Sequence, residues 1–145
     1  MGERYFQLKK TVLIIDDYEK SLRLFTFIVG SMGYRVLATS DSEEGVKMAH
    51  DEQPDLILMD VQMPRMNGIQ ALKLLRADTR TRDIPIIAVT SYVMKGDCER
   101  LVAEGFTHYI AKPIDKNSFM QDVKRIIEQR EKGEAWPDKT TDKGC

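Results

Sequence analysis

The length, composition and charge of the chain are those of one globular domain. Of its 145 residues, 42% are hydrophobic and 31% are charged, which is too apolar for a disordered protein. Its 22 Lys and Arg against 23 Asp and Glu give a net charge of -1, so it lacks the basic excess needed to bind nucleic acid directly. No apolar run approaches the roughly 18 residues of a membrane helix. We therefore expect a cytoplasmic protein that does not insert into membranes.

Short β-branched runs recur along the chain, and each predicts a strand. Every gap between them is long enough for one crossover helix, which indicates parallel strands. Three of the runs, VLII, LILM and IIAV, are apolar at every position, as in a parallel sheet covered by helices on both faces. The sequence therefore predicts a three-layer, doubly wound α/β domain with five parallel strands at Val12–Ile15, Arg35–Thr39, Leu56–Met59, Ile86–Val89 and His108–Ala111.

A helix is predicted after each strand from capping residues and from apolar residues at helical spacing. Asp16 or Asp17 is the expected N-cap of the first helix. The predicted helices run from this cap to about Ser31, from Ser42 to before Pro54, from Asn67–Gly68 onward, from after Tyr92 to Gly105, and from Asp115 onward. The buried faces of the third and fifth helices are predicted to carry Ile69, Leu72, Leu75, Phe119, Val123, Ile126 and Ile127.

We divide the chain into three parts. Residues 1–10 form a lead-in, residues 11–131 form the folded domain, and residues 132–145 form a polar tail with a single Trp136. The tail is predicted to be disordered. Because it is too short to be a DNA-binding domain, we expect the folded domain to act alone.

Polar side chains follow four of the five predicted strands. The first strand leads into Asp16 and Asp17, the third into Asp60, the fourth into Thr90 and the fifth into Lys112. Because the carboxyl ends of parallel strands share one edge, where ligands bind, these side chains are expected to lie together. The second strand delivers no charged group directly, which favours a place at the border of the sheet.

Each of these residues has an ordinary explanation alone, such as a helix cap for the two adjacent acids or a turn for Asp60. Together, however, three carboxylates repel one another unless a cation joins them. Oxygen ligands without Cys or His favour Mg²⁺ over zinc. A cation beside a lysine and a hydroxyl is typical of a phosphoryl site. Since the GxxxxGK[ST] loop is absent, an aspartyl phosphate is favoured over a bound nucleoside triphosphate.

Four motifs together resemble the receiver domains of two-component response regulators. They are VLIIDD, DLILMDVQMPRMNGIQ, IIAVTSY and GFTHYIAKPID, and the resemblance covers roughly residues 10–130. It implies the flavodoxin-like strand order 2-1-3-4-5. It also implies a phosphoprotein that takes its phosphoryl group from a histidine kinase or phosphotransfer protein and then contacts a downstream protein target. Such a protein catalyses its own phosphorylation and dephosphorylation and is not a conventional enzyme.

The resemblance assigns the phosphorylation chemistry to five residues. Asp60 would accept the phosphoryl group. Mg²⁺ would bind Asp17, Asp60 and the backbone carbonyl of Gln62, while Asp16 would assist through water. Lys112 would pair with the phosphoryl group or with Asp60.

The resemblance also assigns a conformational switch. Thr90 would hydrogen-bond the phosphoryl group and move on activation, and Tyr109 would change rotamer behind it. Pro113 would follow a cis peptide bond. Gln62 and Tyr92, which lie two residues after Asp60 and Thr90, would tune the lifetime of the phosphorylated state.

The first predicted helix has a candidate docking surface for the phosphodonor. On a helical wheel its core face would carry Leu22, Phe25, Val29 and Met32. Leu24 and Phe27 point away from that face, so they are predicted to be exposed and are our docking candidates.

Two other functions remain open at this point. An aspartyl-phosphate phosphatase is the main alternative, but haloacid-dehalogenase-like enzymes have a second Asp where this chain has Gln62. A flavin-binding domain of the same topology is the other, although the acidic cluster would repel an FMN phosphate in the absence of metal.

Overall fold

A computed structural model gives the structure of the chain for residues 9–91 and 96–133. In these ranges five strands alternate with five helices, which confirms the predicted alternation of strand and helix. Their bounds are β1 Thr11–Ile15, α1 Glu19–Ser31, β2 Arg35–Thr39, α2 Ser42–Glu52, β3 Leu56–Met59, α3 Gly68–Ala77, β4 Ile86–Thr90, α4 Asp97–Glu104, β5 His108–Ala111 and α5 Lys116–Glu131.

The strands form one parallel sheet in the order β2-β1-β3-β4-β5. This confirms both the strand order and the border position of β2. Every residue of β1, β3 and β4 is buried, because helices cover both faces of a doubly wound sheet. Since Ile15 of β1 pairs with Met59 of β3, the residues that follow these two strands leave the sheet side by side.

The core has two halves, one on each face of the sheet. Alternate residues of a strand point to opposite faces, so Leu13 and Ile15 join one half while Val12 and Ile14 join the other. The first half packs under α2, α3 and α4, and the second under α1 and α5. Ile69 is partly buried and packs against the first half. The other predicted core residues are buried: Leu72, Leu75, Phe119, Val123, Ile126 and Ile127.

Helix α1 buries one face and leaves the opposite face exposed, as its wheel predicted. Phe25 and Val29 are buried, and the Phe25 ring stacks on Phe119 of α5 with centroids 5.4 Å apart. Leu22 and Met32 pack partly buried against the same core. Leu24 and Phe27 are 47% and 72% exposed.

The expectation that Asp16 or Asp17 caps α1 is wrong. The N-cap is Tyr18, and no side chain caps the helix. Asp16 instead accepts a hydrogen bond from the Tyr18 amide, 2.9 Å away, in a turn before the helix begins. Its other carboxylate oxygen is bound by Lys112, so the carboxylate is held at the edge of the sheet.

Three of the other four helices begin with a side-chain cap, and α4 begins after Gly96 without one. Asp41 caps α2, and Asp115 caps α5 as predicted. Asn67 caps α3 and forms a reciprocal capping box with Gln70. None of the helices within the described ranges is long and apolar enough to cross a membrane. The predicted tail from residue 134 onward lies outside the described residues.

Candidate functional site

Three carboxylates meet where β1 and β3 end. Asp16, Asp17 and Asp60 each offer an oxygen, and these oxygens lie within 4.8 Å of one another. Asp16 and Asp60 are only 1% and 7% exposed, whereas Asp17 is open to solvent. The Asp60 amide donates to the Ile15 carbonyl at 2.9 Å, which fixes the two strand ends against each other. The acidic cluster predicted from the sequence is therefore formed.

Lys112 closes the buried side of this cluster. Its Nζ donates to Oδ2 of Asp16 at 2.9 Å and to Oδ2 of Asp60 at 3.3 Å. Its backbone amide donates to the Thr90 carbonyl at 2.9 Å, so the base of the side chain is fixed to the end of β4. The ammonium also lies 5.9 Å from the centroid of the Phe25 ring, within range of a cation–π contact. One ammonium thus bridges two buried carboxylates.

The charges of the cluster do not balance. Burial and the charge of Asp16 raise the pKa of Asp60 to about 6, although Lys112 and the Gln62 amide favour the ionised form. Burial lowers the pKa of Lys112, but its contacts with Asp16 and Asp60 outweigh burial, so this pKa lies above its usual value. The lysine therefore remains charged while the negative charge of Asp60 is destabilised. An additional cation at this site would remove that excess of negative charge.

The raised pKa of Asp60 predicts an unusual dependence of stability on pH. Because its pKa is 3.8 unfolded and about 6 folded, the folded state binds more protons between these values. Without divalent cations, stability should therefore fall by about 1–3 kcal/mol as pH rises from 4 to 7. Urea unfolding at several pH values measures this loss, and Asp60→Asn should reduce it. An Asp60→Asn protein with the full wild-type loss would contradict the account.

The acidic cluster fits a hard divalent cation such as Mg²⁺. All three side chains are oxygen donors, which is the ligand type that Mg²⁺ prefers. Asp17 has no ion pair among the described residues, so its carboxylate is available on the solvent side. Sequence reasoning named these three residues, and the fold brings all of them together.

Thr90 and Tyr109 lie on the neighbouring strands β4 and β5. Thr90 is 2% exposed at the carboxyl end of β4, on the same edge as Asp60 and Lys112. Tyr109 is 6% exposed and packs in the core half beneath α4. Its buried hydroxyl has no hydrogen-bond partner among the described residues, and burial and the charge of Asp97 raise the pKa of this phenol.

Of the other predicted site residues, Pro113 and Gln62 lie in the described part of the chain and Tyr92 does not. The Lys112–Pro113 peptide bond is cis, as predicted. Gln62 is exposed, and its backbone amide donates to Oδ1 of Asp60 at 3.1 Å. Tyr92 lies outside the described residues, so its role in lifetime remains a prediction.

The end of the loop between β3 and α3 packs closely against the peptide group of Asp60. The Gly68 amide donates to the Val61 carbonyl at 2.8 Å. A Cβ at Gly68 would lie 2.7 Å from the Asp60 carbonyl oxygen and 2.7 Å from Val61 Cα. Both contacts are with backbone, which cannot rotate away. Only glycine lets α3 begin directly against the peptide that carries Asp60.

Replacing Gly68 with Ala should therefore disturb both stability and the site. We expect a loss of about 1–3 kcal/mol from the backbone overlap, with shifted NMR resonances at Asp60. Gly30→Ala in α1 is the matched control, because the nearest atom to its Cβ would be 4.0 Å away. The control should be neutral or stabilising by up to about 1 kcal/mol, since Ala favours a helix. Equal stability of the two variants would contradict the close approach at Gly68.

An open cleft of ≈ 580 Å³ leads from solvent to Asp60. Its lining consists of Tyr18, Lys20, Ser21, Leu24, Phe25, Asp60, Gln62, Ser91, Lys112, Pro113 and Ile114. Leu24, one of the two docking candidates, lies on the wall of this cleft, while Phe27 does not line it. The cleft therefore joins the acidic cluster to an apolar part of α1.

Sequence reasoning missed two features of the site. It paired Lys112 with Asp60 but not with Asp16, which is the closer partner at 2.9 Å. It assigned Phe25 to the core without placing its ring under the Lys112 ammonium. Neither contact has a local signal, because the partners are far apart along the chain.

Comparisons with known proteins agree with this fold and site. A family described as "Response regulator receiver domain" matches residues 12–124. The polar-differentiation response regulator DivK of Brucella anthropi is 39% identical over 120 residues, covering 83% of this chain and 98% of that protein. The DivK protein of Brucella ovis matches with the same identity and coverage.

Solved structures show the same architecture. The receiver domain of the sensor histidine kinase PA1611 from Pseudomonas aeruginosa, with a magnesium ion coordinated in its active site cleft, has a TM-score of 0.76 and 30% identity, covering 83% of this chain and 98% of that one. The chemotaxis protein CheY4 of Vibrio cholerae has 24% identity and a TM-score of 0.76. The match covers 81% of this chain and 98% of that one, and it supports the fold alone. The family match spans most of the chain and includes the whole acidic cluster, so this chain belongs to the response regulator receiver domain family.

Proposed function

We propose that this receiver domain is a cytoplasmic switch that accepts a phosphoryl group on Asp60 from a phosphohistidine donor in a reaction that requires Mg²⁺. The observation that carries the proposal is the arrangement around Lys112, whose ammonium holds Asp16 and Asp60 at 2.9 and 3.3 Å. Asp60 lies at the inner end of an open cleft. A nucleophile, a fixed positive charge and access for a donor therefore coincide.

Mg²⁺ would be held by Asp17, Asp60 and the backbone carbonyl of Gln62, with Asp16 assisting through water. Bound there, it supplies positive charge to the phosphoryl oxygens. The exposure of Asp17 and the burial of Asp16 support this division of roles. Asp16 also holds Lys112, so the buried acid orients the lysine while the exposed acid faces solvent.

The transfer step uses the ionised carboxylate of Asp60. One carboxylate oxygen attacks phosphorus, the bond between phosphorus and the donor imidazole nitrogen breaks, and the imidazole leaves with the electron pair. The donor reacts with its second ring nitrogen protonated and keeps that proton, so the leaving imidazole is neutral. With a pKa of about 6, most Asp60 is ionised at neutral pH even before a cation binds. Lys112 then pairs with a phosphoryl oxygen.

Thr90 and Tyr109 would convert phosphorylation into a change of surface. The Thr90 hydroxyl would move to donate to a phosphoryl oxygen, and Tyr109 would respond to the space that Thr90 leaves. The buried Tyr109 hydroxyl, which lacks a hydrogen-bond partner among the described residues, supports this coupling. The result would be a different surface on α4, β5 and α5 for a downstream protein.

The exposed side chains of α1 predict how the donor protein binds. Replacing both Leu24 and Phe27 by Ala should slow transfer from a phosphotransfer protein about tenfold or more, because apolar docking contacts are lost. Labelling by acetyl phosphate should be unchanged. Leu74→Ala is the matched control, since this exposed leucine lies on α3 and is 48% exposed. Equal slowing of both reactions would mean that folding, and not docking, is affected.

Turnover distinguishes this function from the phosphatase alternative. A receiver takes up one phosphoryl group per chain with Mg²⁺ and then slowly loses it as inorganic phosphate. A phosphatase would release phosphate continuously from a generic ester such as p-nitrophenyl phosphate. The lack of a carboxylate at Gln62 supports the receiver. Sustained ester hydrolysis that Asp60→Asn abolishes would instead favour the hydrolase.

A further inference from the structure

A buried hydroxyl connects two loops beside the acidic cluster. Ser42, the first residue of α2, is 1% exposed. Its Oγ donates a hydrogen bond to the carbonyl oxygen of Met66, which lies 24 residues further along the chain. The loop between β2 and α2 is thereby tied to the loop between β3 and α3. The bond is part-buried, and losing it has a cost, because the Met66 carbonyl is left without this partner.

An exposed ion pair connects the same two loops. A guanidinium nitrogen of Arg65 lies 3.5 Å from Oδ2 of Asp41, with 72% and 39% of these side chains exposed. Such exposed pairs stabilise a structure little. Arg65 itself has φ 65, in the left-handed region that favours glycine. A residue in this conformation persists only where its surroundings hold it, and the buried Ser42 bond lies one residue further on.

The loop held in this way carries groups that would bind the cation. It leaves Asp60, passes Gln62, whose amide donates to Asp60 at 3.1 Å, and ends at Gly68. Near its start the loop is fixed by the bond between Val61 and Gly68 at 2.8 Å. Between these points Ser42 and Asp41 contact the loop through a hydrogen bond and an ion pair, and the loop's own Met63 side chain is buried in the core. Met66 and Gln62 therefore lie on one loop whose conformation these contacts hold together.

We propose that Ser42 is a positioning residue for the cation site, acting through the Met66 carbonyl on the loop that presents Gln62 and Asp60. The inference rests on the proposed function, because it assumes that Mg²⁺ binds at this cluster. Ser42 touches neither the cation nor the phosphoryl group. The role of its hydroxyl is to hold the loop in a conformation that would let the Gln62 carbonyl and the Asp60 carboxylate bind the same cation.

The test is the Mg²⁺ affinity of Ser42→Ala in the full chain, measured by titration with NMR detection of the Gln62 amide. We expect the dissociation constant to rise about three- to tenfold, less than the loss of a group that contacts a ligand directly. Asp41→Asn keeps a capping side chain for α2 but removes the charge that faces Arg65. Because that pair is exposed, Asp41→Asn should change affinity less than twofold.

Thr81→Val is the matched control for general destabilisation. Thr81 is fully buried beyond the far end of α3, and its Oγ1 donates to the carbonyl of Leu75 in the last turn of that helix. This variant also loses a buried hydroxyl–carbonyl bond, but it should leave the Mg²⁺ affinity and the Gln62 amide resonance at their wild-type values. Weakening by both Ser42→Ala and Thr81→Val to the same degree would overturn the positioning role.

The remaining outcomes separate this inference from the proposed function. A wild-type chain that binds Mg²⁺ normally, with Ser42→Ala equal to it, overturns the role of Ser42 alone. A wild-type chain that shows no Mg²⁺ binding at this cluster overturns the proposed function and this inference with it. Weaker binding in Ser42→Ala only, with a shifted Gln62 amide, supports both.

Discussion

Replacing Asp60 by Asn abolishes phosphorylation from acetyl phosphate if Asp60 is the phosphoacceptor. The amide cannot supply the anionic oxygen that attacks phosphorus. Asp16 should not substitute for it, because its carboxylate is bound by Lys112 and the Tyr18 amide. We therefore expect at least a hundredfold fall in incorporation, measured by intact mass after incubation with Mg²⁺.

Asp51→Asn is the matched control for this experiment. Asp51 is an exposed acid at the end of α2 and is not one of the three acids that form the cluster. The Asp51→Asn protein should be labelled at the wild-type rate, since this substitution removes one carboxylate without altering the site. Undiminished labelling of Asp60→Asn would show that another residue accepts the phosphoryl group.

Replacing Lys112 by Met should separate phosphorylation from its conformational effect. Methionine retains much of the apolar stem that packs near Phe25 but has no ammonium to join Asp16 and Asp60. Some labelling of Asp60 should remain, because the attacking oxygen is intact. The proposed link between the phosphoryl group and β5 should be lost, however, because it depends on the Lys112 ammonium.

NMR measures this loss of coupling directly. In the wild type, phosphorylation should shift the resonances of Tyr109 and of α5, and in Lys112→Met these shifts should fall by more than half. The comparison is made at equal phosphorylation, checked by intact mass. Full wild-type shifts in the variant would show that another residue transmits the change.

The side chains at the carboxyl ends of the strands could be predicted because they directly follow strands that are easy to recognise in the sequence. The runs before Asp16, Asp60 and Lys112 are apolar enough to locate the strand ends, and parallel topology then brings those ends together. The exposure of Leu24 and Phe27 followed from helical periodicity for the same reason, since both signals are local.

Contacts between distant segments could not be predicted in this way. Capping statistics favoured Asp16 or Asp17 as a helix cap, but Lys112 draws the Asp16 carboxylate to the sheet edge from 96 residues away. Neither the bond from Ser42 to Met66 nor the overlap that excludes a side chain at Gly68 has a sequence pattern of its own. Both depend on how α2 and α3 pack beside β3, which only the folded chain determines.

Direct location of the phosphoryl group is the measurement that tests the central claim most closely. The wild-type chain is incubated with acetyl phosphate in the presence or absence of Mg²⁺ and reduced with borohydride, which converts an aspartyl phosphate to homoserine. Peptide mass mapping then identifies the modified residue. The account predicts homoserine at position 60 only, and only when Mg²⁺ is present. Modification at another residue, or modification of Asp60 without a divalent cation, would contradict it.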